Sequence, residues 1–164
     1  MKKQFGATRL EIVVVMIMIA MLSGWLLHTL QFYQELAEKT SVETTVMNMR
    51  SGMRLKIADL IIKGEADQQK SLVKQNPVVF LQKPPLGYLG ELKSVPEDLP
   101  KGSWYFDVEM SQLVYVPKIS DHLIMKLDLV GDVPVFLRWQ VLVPEKQTSL
   151  LAVDVELLTT YRWF

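Results

Sequence analysis

From Ile12 to Leu27 the chain carries no charged side chain, and no other feature restricts its fold as strongly. Together with Leu30 the run offers roughly 17 to 19 residues for burial in hydrocarbon, near the lower end of what a spanning helix needs. Lys2, Lys3 and Arg9 precede the run, and Glu35 and Glu38 are the first charges after it. By the positive-inside rule the N-terminus is expected in the cytoplasm and most of the chain on the far side. A cleaved secretory signal competes with this reading, but no A-x-A-like site follows the run and Glu11 is out of place in a basic leader.

A second pattern begins where the first ends. Val42, Val46, Met49, Met53, Ile57 and Leu60 recur at helical spacing, while Glu43, Arg50, Arg54 and Asp59 fall elsewhere on the cylinder. No proline precedes Pro77 and Gly64 offers a C-cap, so one helix is expected from near Thr8 to about Lys63. At ~1.5 Å per residue it is roughly 80 Å long. Ser23-Gly24 is a candidate bend, and Gly52 costs ~1 kcal/mol relative to alanine. Thr40-Ser41 with Glu43 offers a place for a fresh helix to start.

Beyond Gly64 the pattern changes. All eight prolines lie from Pro77 to Pro144, and "NPVVFLQKPPLGYLGELKSVPEDLPKG" reads as a looping connector with short ordered pieces. The period then becomes two: "WYFDV" and "LVYVP" flank "EMSQ" as a hairpin, "HLIMKLDLV" and "VFLRWQVLV" flank a turn at "GDVP", and "LAVDVELLTTYRWF" follows "PEKQTS". Four or five strands result, with one apolar face and one wet face. The apolar face needs a cover, and the striped half of the helix supplies it. The expected fold class is α+β, a long N-terminal α-helix packed by its lower half on a four- to five-stranded antiparallel sheet.

The 164 residues suffice for one ordinary domain plus an anchor, and the hydrophobic content of 49% is raised by the N-terminal block. Lys+Arg and Asp+Glu balance at 18 each, so no basic surplus points to nucleic acid. The chain has no cysteine, hence neither disulfide nor thiolate chemistry.

A short basic leader ending in Gly6, then "ATRLE" and a long apolar helix, resembles the N-terminus of type IV pilins and of the pseudopilins of type II secretion. The resemblance implies that a prepilin peptidase cuts after Gly6 and that the new N-terminus, Ala7, is methylated. It assigns Glu11 to subunit assembly, pairing with the terminal amine of a neighbouring subunit inside a filament. The implied organisation is a leader over 1–6, a filament-core and membrane helix over 7–31, an amphipathic helix over 32–63 and a periplasmic head over 64–164. The implied partners are other pilin or pseudopilin subunits, the prepilin peptidase, an inner-membrane assembly platform and the lipid bilayer. The motif covers about the first 30 residues, and the architecture covers the whole chain. "NPVVFLQKPPLGYLGEL" followed by "WYFDVEMSQLVY" is similar to minor pilins of the mannose-sensitive haemagglutinin pilus. A minor pilin is therefore the expectation, with a minor pseudopilin and an unprocessed membrane-anchored binding protein as its competitors.

The chain departs from the family pattern in places. Ala7 stands where phenylalanine is usual, Arg9 where an apolar residue is usual, and the membrane helix has no proline. The C-terminal disulfide loop of major pilins is missing too, which favours a minor subunit. Arg9 reads either as an inward-facing charge snorkelling to headgroups or as a modifier of Glu11. Glu11 has a local reading as well: Thr8-Arg9-Leu10-Glu11 fits a capping box. A carboxylate at membrane depth nonetheless costs several kcal/mol, so it is kept shallow, paired or protonated.

Other chemistry is sparse. His28 and His122 have no ligand-like spacing, so no metal and no cofactor is expected. Neither a phosphate-binding glycine loop nor a nucleophile elbow is present, and the chain is not expected to be an enzyme. Trp104, Tyr105, Phe106 and Tyr115 read as cross-strand core packing, with ligand binding as the alternative.

Overall fold

The computed structural model describes residues 8–94, 96, 98–125, 136–143 and 153–164. The leader and the turns expected at "GDVP" and "PEKQTS" lie outside the described residues. Helix α1 runs Arg9–Ile62, continuous through Ser23-Gly24, Thr40-Ser41 and Gly52. The chain divides into two compact units, Met1–Ala37 and Glu38–Phe164.

In the first unit the described residues are helical from Arg9 onward. Thr8 caps the helix start: its hydroxyl accepts from the Glu11 amide at 3.3 Å, and the Glu11 carboxylate accepts from the Thr8 amide at 3.1 Å. The two bonds satisfy amides that the helix itself leaves without acceptors. None of the most apolar 18-residue window of α1 is buried. Ile12, Val13, Val14, Val15, Met16 and Ile17 are all exposed, so the segment is apolar around its whole circumference. A helix of that kind is built for a surrounding that is not water.

The second unit is the α+β head expected from the sequence. Its five-stranded sheet has the order β1 (Tyr88–Leu92), β2 (Trp104–Asp107), β3 (Gln112–Tyr115), β5 (Leu137–Leu142), β6 (Asp154–Leu157). All neighbours are antiparallel except β1 and β2, which run parallel from Tyr88 opposite Trp104 to Leu92 opposite Asp107. Strands β4 (Leu123–Met125) and β7 (Tyr161–Trp163) form a separate two-stranded sheet.

Every residue of the helical stripe is in the core: Val42, Val46, Met49, Met53, Ile57 and Leu60 are buried with Trp104, Phe106, Leu113, Tyr115, Leu137, Trp139, Val141, Val153 and Val155. The β2–β3 hairpin has the expected frame, with Asp107 opposite Gln112 and the Asp107 carboxylate accepting from the Met110 amide at 3.0 Å.

Three readings need correction. The pairing of "HLIMKLDLV" with "VFLRWQVLV" as one hairpin does not hold over their described residues: β4 lies against β7, and β5 lies between β3 and β6. Alternation specifies which face of a strand is apolar and leaves its neighbour open. The C-terminal segment is two strands, interrupted at Leu158–Thr160, where the Thr159 hydroxyl accepts from the Arg138 amide. A 3₁₀ turn at Ala66–Leu72 precedes the proline-rich connector over 76–102; the connector holds a second one, Pro77–Phe80, among its expected short ordered pieces, and contributes β1, which the expected strands omitted, to the main sheet.

Gly52 owes its place to one of those turns. A Cβ there would meet the Phe80 carbonyl oxygen at 2.1 Å, so only glycine lets the second turn lie against α1. At the end of α1 the Gly64 amide donates to the Ile61 carbonyl and the Glu65 amide to the Leu60 carbonyl, a Schellman cap with Gly64 at φ +76°.

Candidate functional site

The strongest functional candidate is the start of α1, where one acid stands before an apolar cylinder. Glu11 and Arg9 are exposed, and Leu10 between them is 77% exposed. Gly6 and Ala7 lie outside the described residues, so the proposed cleavage bond is not placed. Glu11 serves as the cap glutamate of Thr8 through Oε2. A carboxylate in this position complements the positive end of the helix dipole. The cap and an assembly role are compatible, because a carboxylate oxygen accepts more than one donor.

Within the head, the polar contacts are structural fasteners. Glu38, four residues before Val42 on the same helical face, accepts from the Tyr115 hydroxyl at 2.7 Å, from the Lys118 amide at 2.6 Å and from the Ile119 amide at 3.2 Å. Burial, followed by the hydrogen bond and charge of Glu38, pushes the Tyr115 phenol well above its ordinary range. Arg50 donates to the Val155 carbonyl at 2.9 Å and lies 3.7 Å from the Asp154 carboxylate. Lys39 donates to the Trp163 carbonyl at 2.9 Å and sits 5.7 Å from the centre of the Phe164 ring. These ties were missed in the sequence. The available signal was an acid in line with the apolar stripe, since Glu38, Val42, Val46 and Met49 share one face.

A half-open groove of about 320 Å³ is lined by Glu43, Val46, Met47, Arg50, Trp139, Leu157 and Tyr161. Its walls are polar and apolar in nearly equal measure, and Arg50 is already committed to Val155 and Asp154. The Tyr161 phenol is raised chiefly by burial, with Glu43 adding to the effect and Arg50 opposing it. Among its described lining residues the groove offers an exposed carboxylate, Glu43, and a phenol, Tyr161.

The aromatic hairpin is core. Trp104 stands opposite Tyr115 with ring centres 4.6 Å apart and lies 5.4 Å from Trp139, and all three are buried. His28 is on the exposed apolar half of α1, and His122 stacks on Phe164 at 5.0 Å. Among the described residues no three His, Cys, Asp or Glu side chains gather as a metal site.

Comparison with known proteins returns no match: no family model, no curated protein and no solved structure. The architecture therefore stands on its own terms, as an α+β head whose N-terminal helix continues into a segment long and apolar enough to cross a membrane.

Proposed function

We propose that this chain is a minor type IV pilin, a structural and assembly subunit held in the bacterial inner membrane by α1, with its head in the periplasm, and later incorporated into or priming a pilus. The observation that carries the reading is the combination at one helix end. An acid sits beside the first turn of an unburied apolar span, and the same helix supplies the core face of a sheet domain. In this reading the prepilin peptidase cuts between Gly6 and Ala7. Glu11 then meets the freed amine of a neighbouring subunit, and the exposed apolar cylinder exchanges lipid for other helices.

The capping box supplies the discriminating variant. Glutamine serves a capping box as well as glutamate, so Glu11→Gln keeps the cap and removes only the charge, whereas Glu11→Leu removes both. Both variants are expected to insert in the membrane and to be processed to a chain beginning at Ala7, as intact mass after membrane extraction will read. Both are expected to lose co-purification with sheared filaments, because breaking a buried charge pair costs ~3 to 5 kcal/mol. Full recovery of Glu11→Gln in filaments would reduce Glu11 to a helix cap. Recovery of the uncleaved chain alone, from cells with an active prepilin peptidase, would remove the pilin reading altogether.

A further inference from the structure

The apolar span has an unusual water-side end. Trp25, Thr29 and Tyr33 follow one another at steps of four on α1, forming a single stripe. Trp25 is 71% and Tyr33 60% exposed. Phe32 packs edge-on against Tyr33, with ring centres 5.7 Å apart and planes at 77°. Thr29 turns its hydroxyl back onto the Trp25 carbonyl at 3.0 Å, which satisfies the hydroxyl without water. Beyond the stripe the chain becomes charged at Glu35, Glu38 and Lys39. An indole and a phenol, each with an apolar body and one polar tip, are suited to the boundary between hydrocarbon and headgroups.

We propose that Trp25 and Tyr33 form an interfacial anchor for phospholipid headgroups on the head side of the bilayer, and that this anchor holds Glu11 inside the hydrocarbon region. The proposal stands on α1 spanning a bilayer and is independent of processing or filament assembly. The depth follows from helix geometry. At ~1.5 Å per residue Arg9 lies ~24 Å and Glu11 ~21 Å along α1 from Trp25. The hydrocarbon core is ~30 Å thick, so with Trp25 at one boundary Arg9 falls ~6 Å and Glu11 ~9 Å short of the other. In that register Tyr33 stands ~12 Å beyond Trp25, toward the outer edge of the headgroups, so it is the indole that draws the span toward the head side, while Arg9 draws it toward the opposite headgroups by snorkelling.

The test uses the full chain in phospholipid vesicles with bromine atoms placed near the headgroups, at mid-chain or near the bilayer centre. Trp104, Trp139 and Trp163 are each no more than 4% exposed, so Trp25 is the tryptophan that lipid bromines reach. Quenching is expected to be strongest with the shallow bromines, to be mostly lost in Trp25→Leu, and to be independent of the protein-to-lipid ratio. Strongest quenching from the bilayer centre would overturn the anchor and leave the span intact. Quenching that appears only on dilution would assign the stripe to a second copy of the chain, again overturning it. No quenching, with the chain failing to float with vesicles, would remove the span as well. Because the chain has no cysteine, Ile12→Cys reports the opposite end with a water-soluble maleimide. Labelling is expected to be slow in the single variant and several-fold faster once Trp25→Leu and Tyr33→Leu release the anchor; equal rates would refute the coupling to Glu11.

Discussion

Gly52 shows how a residue's local cost and its tertiary use have opposite signs. On helix propensity alone, glycine in the middle of α1 is a loss of ~1 kcal/mol against alanine. In the fold the missing side chain is what admits the Phe80 carbonyl. Gly52→Ala is therefore expected to destabilise the head by ~1 to 3 kcal/mol, the usual range for overpacking, despite the better helix former. A urea titration of the soluble head reads this directly, and a higher midpoint for alanine would mean that the turn at Pro77–Phe80 moves aside cheaply. The sequence reveals Gly52 as an anomaly and withholds its reason, because the reason is a backbone segment nearly thirty positions away. Gly64 is the contrasting case: its use as a cap is local, and it was readable from Gly64 following the apolar periodicity.

At the scale of elements, α1 was legible because its stripe and its apolar run both persist over many turns, and every stripe residue proved buried. The strands were legible as faces and not as neighbours. Leu123 and Met125 alternate with Ile124 in a way that suits any sheet, and which strand lies beside them is decided by closure of the whole head. Strand β1 was hidden because proline and glycine dominate its surroundings, and a parallel pairing leaves no hairpin turn to find.

The sheet also predicts behaviour in alkali. Tyr88, Tyr105, Tyr115 and Tyr161 all have phenols raised mainly by burial, which penalises the phenolate. The folded chain keeps these protons above pH ~10, where the unfolded chain releases them, so it binds more protons and its stability falls as pH rises past that point. Below it the contribution is fully present. Tyr115→Phe, which keeps the ring and drops the hydroxyl, is expected to flatten the decline of the melting temperature above pH ~10. An unchanged slope would show that Tyr115 titrates alike in both states.

For the whole molecule, the division into Met1–Ala37 and Glu38–Phe164 separates an apolar helix from a head with its own core. The expectation is that a fragment beginning at Phe32 is soluble and folded, since it keeps the entire stripe and all seven described strands. Circular dichroism showing helix and sheet with a cooperative melt would bear this out, and a disordered spectrum would mean that the head needs the apolar half of α1.

The bond from Lys39 to the Trp163 carbonyl joins positions 124 apart in sequence, and β7, which carries that carbonyl, pairs with β4. Neither contact exists until β7 has been synthesised. Contacts of such separation slow folding, because the chain gives up loop entropy before any bond is made. During synthesis the lower half of α1 therefore waits with Val42, Met49, Met53 and Ile57 uncovered, longer than any strand does. That waiting interval is when the nascent head is most open to binding by a chaperone, and when a stalled or shortened chain is most exposed to proteases.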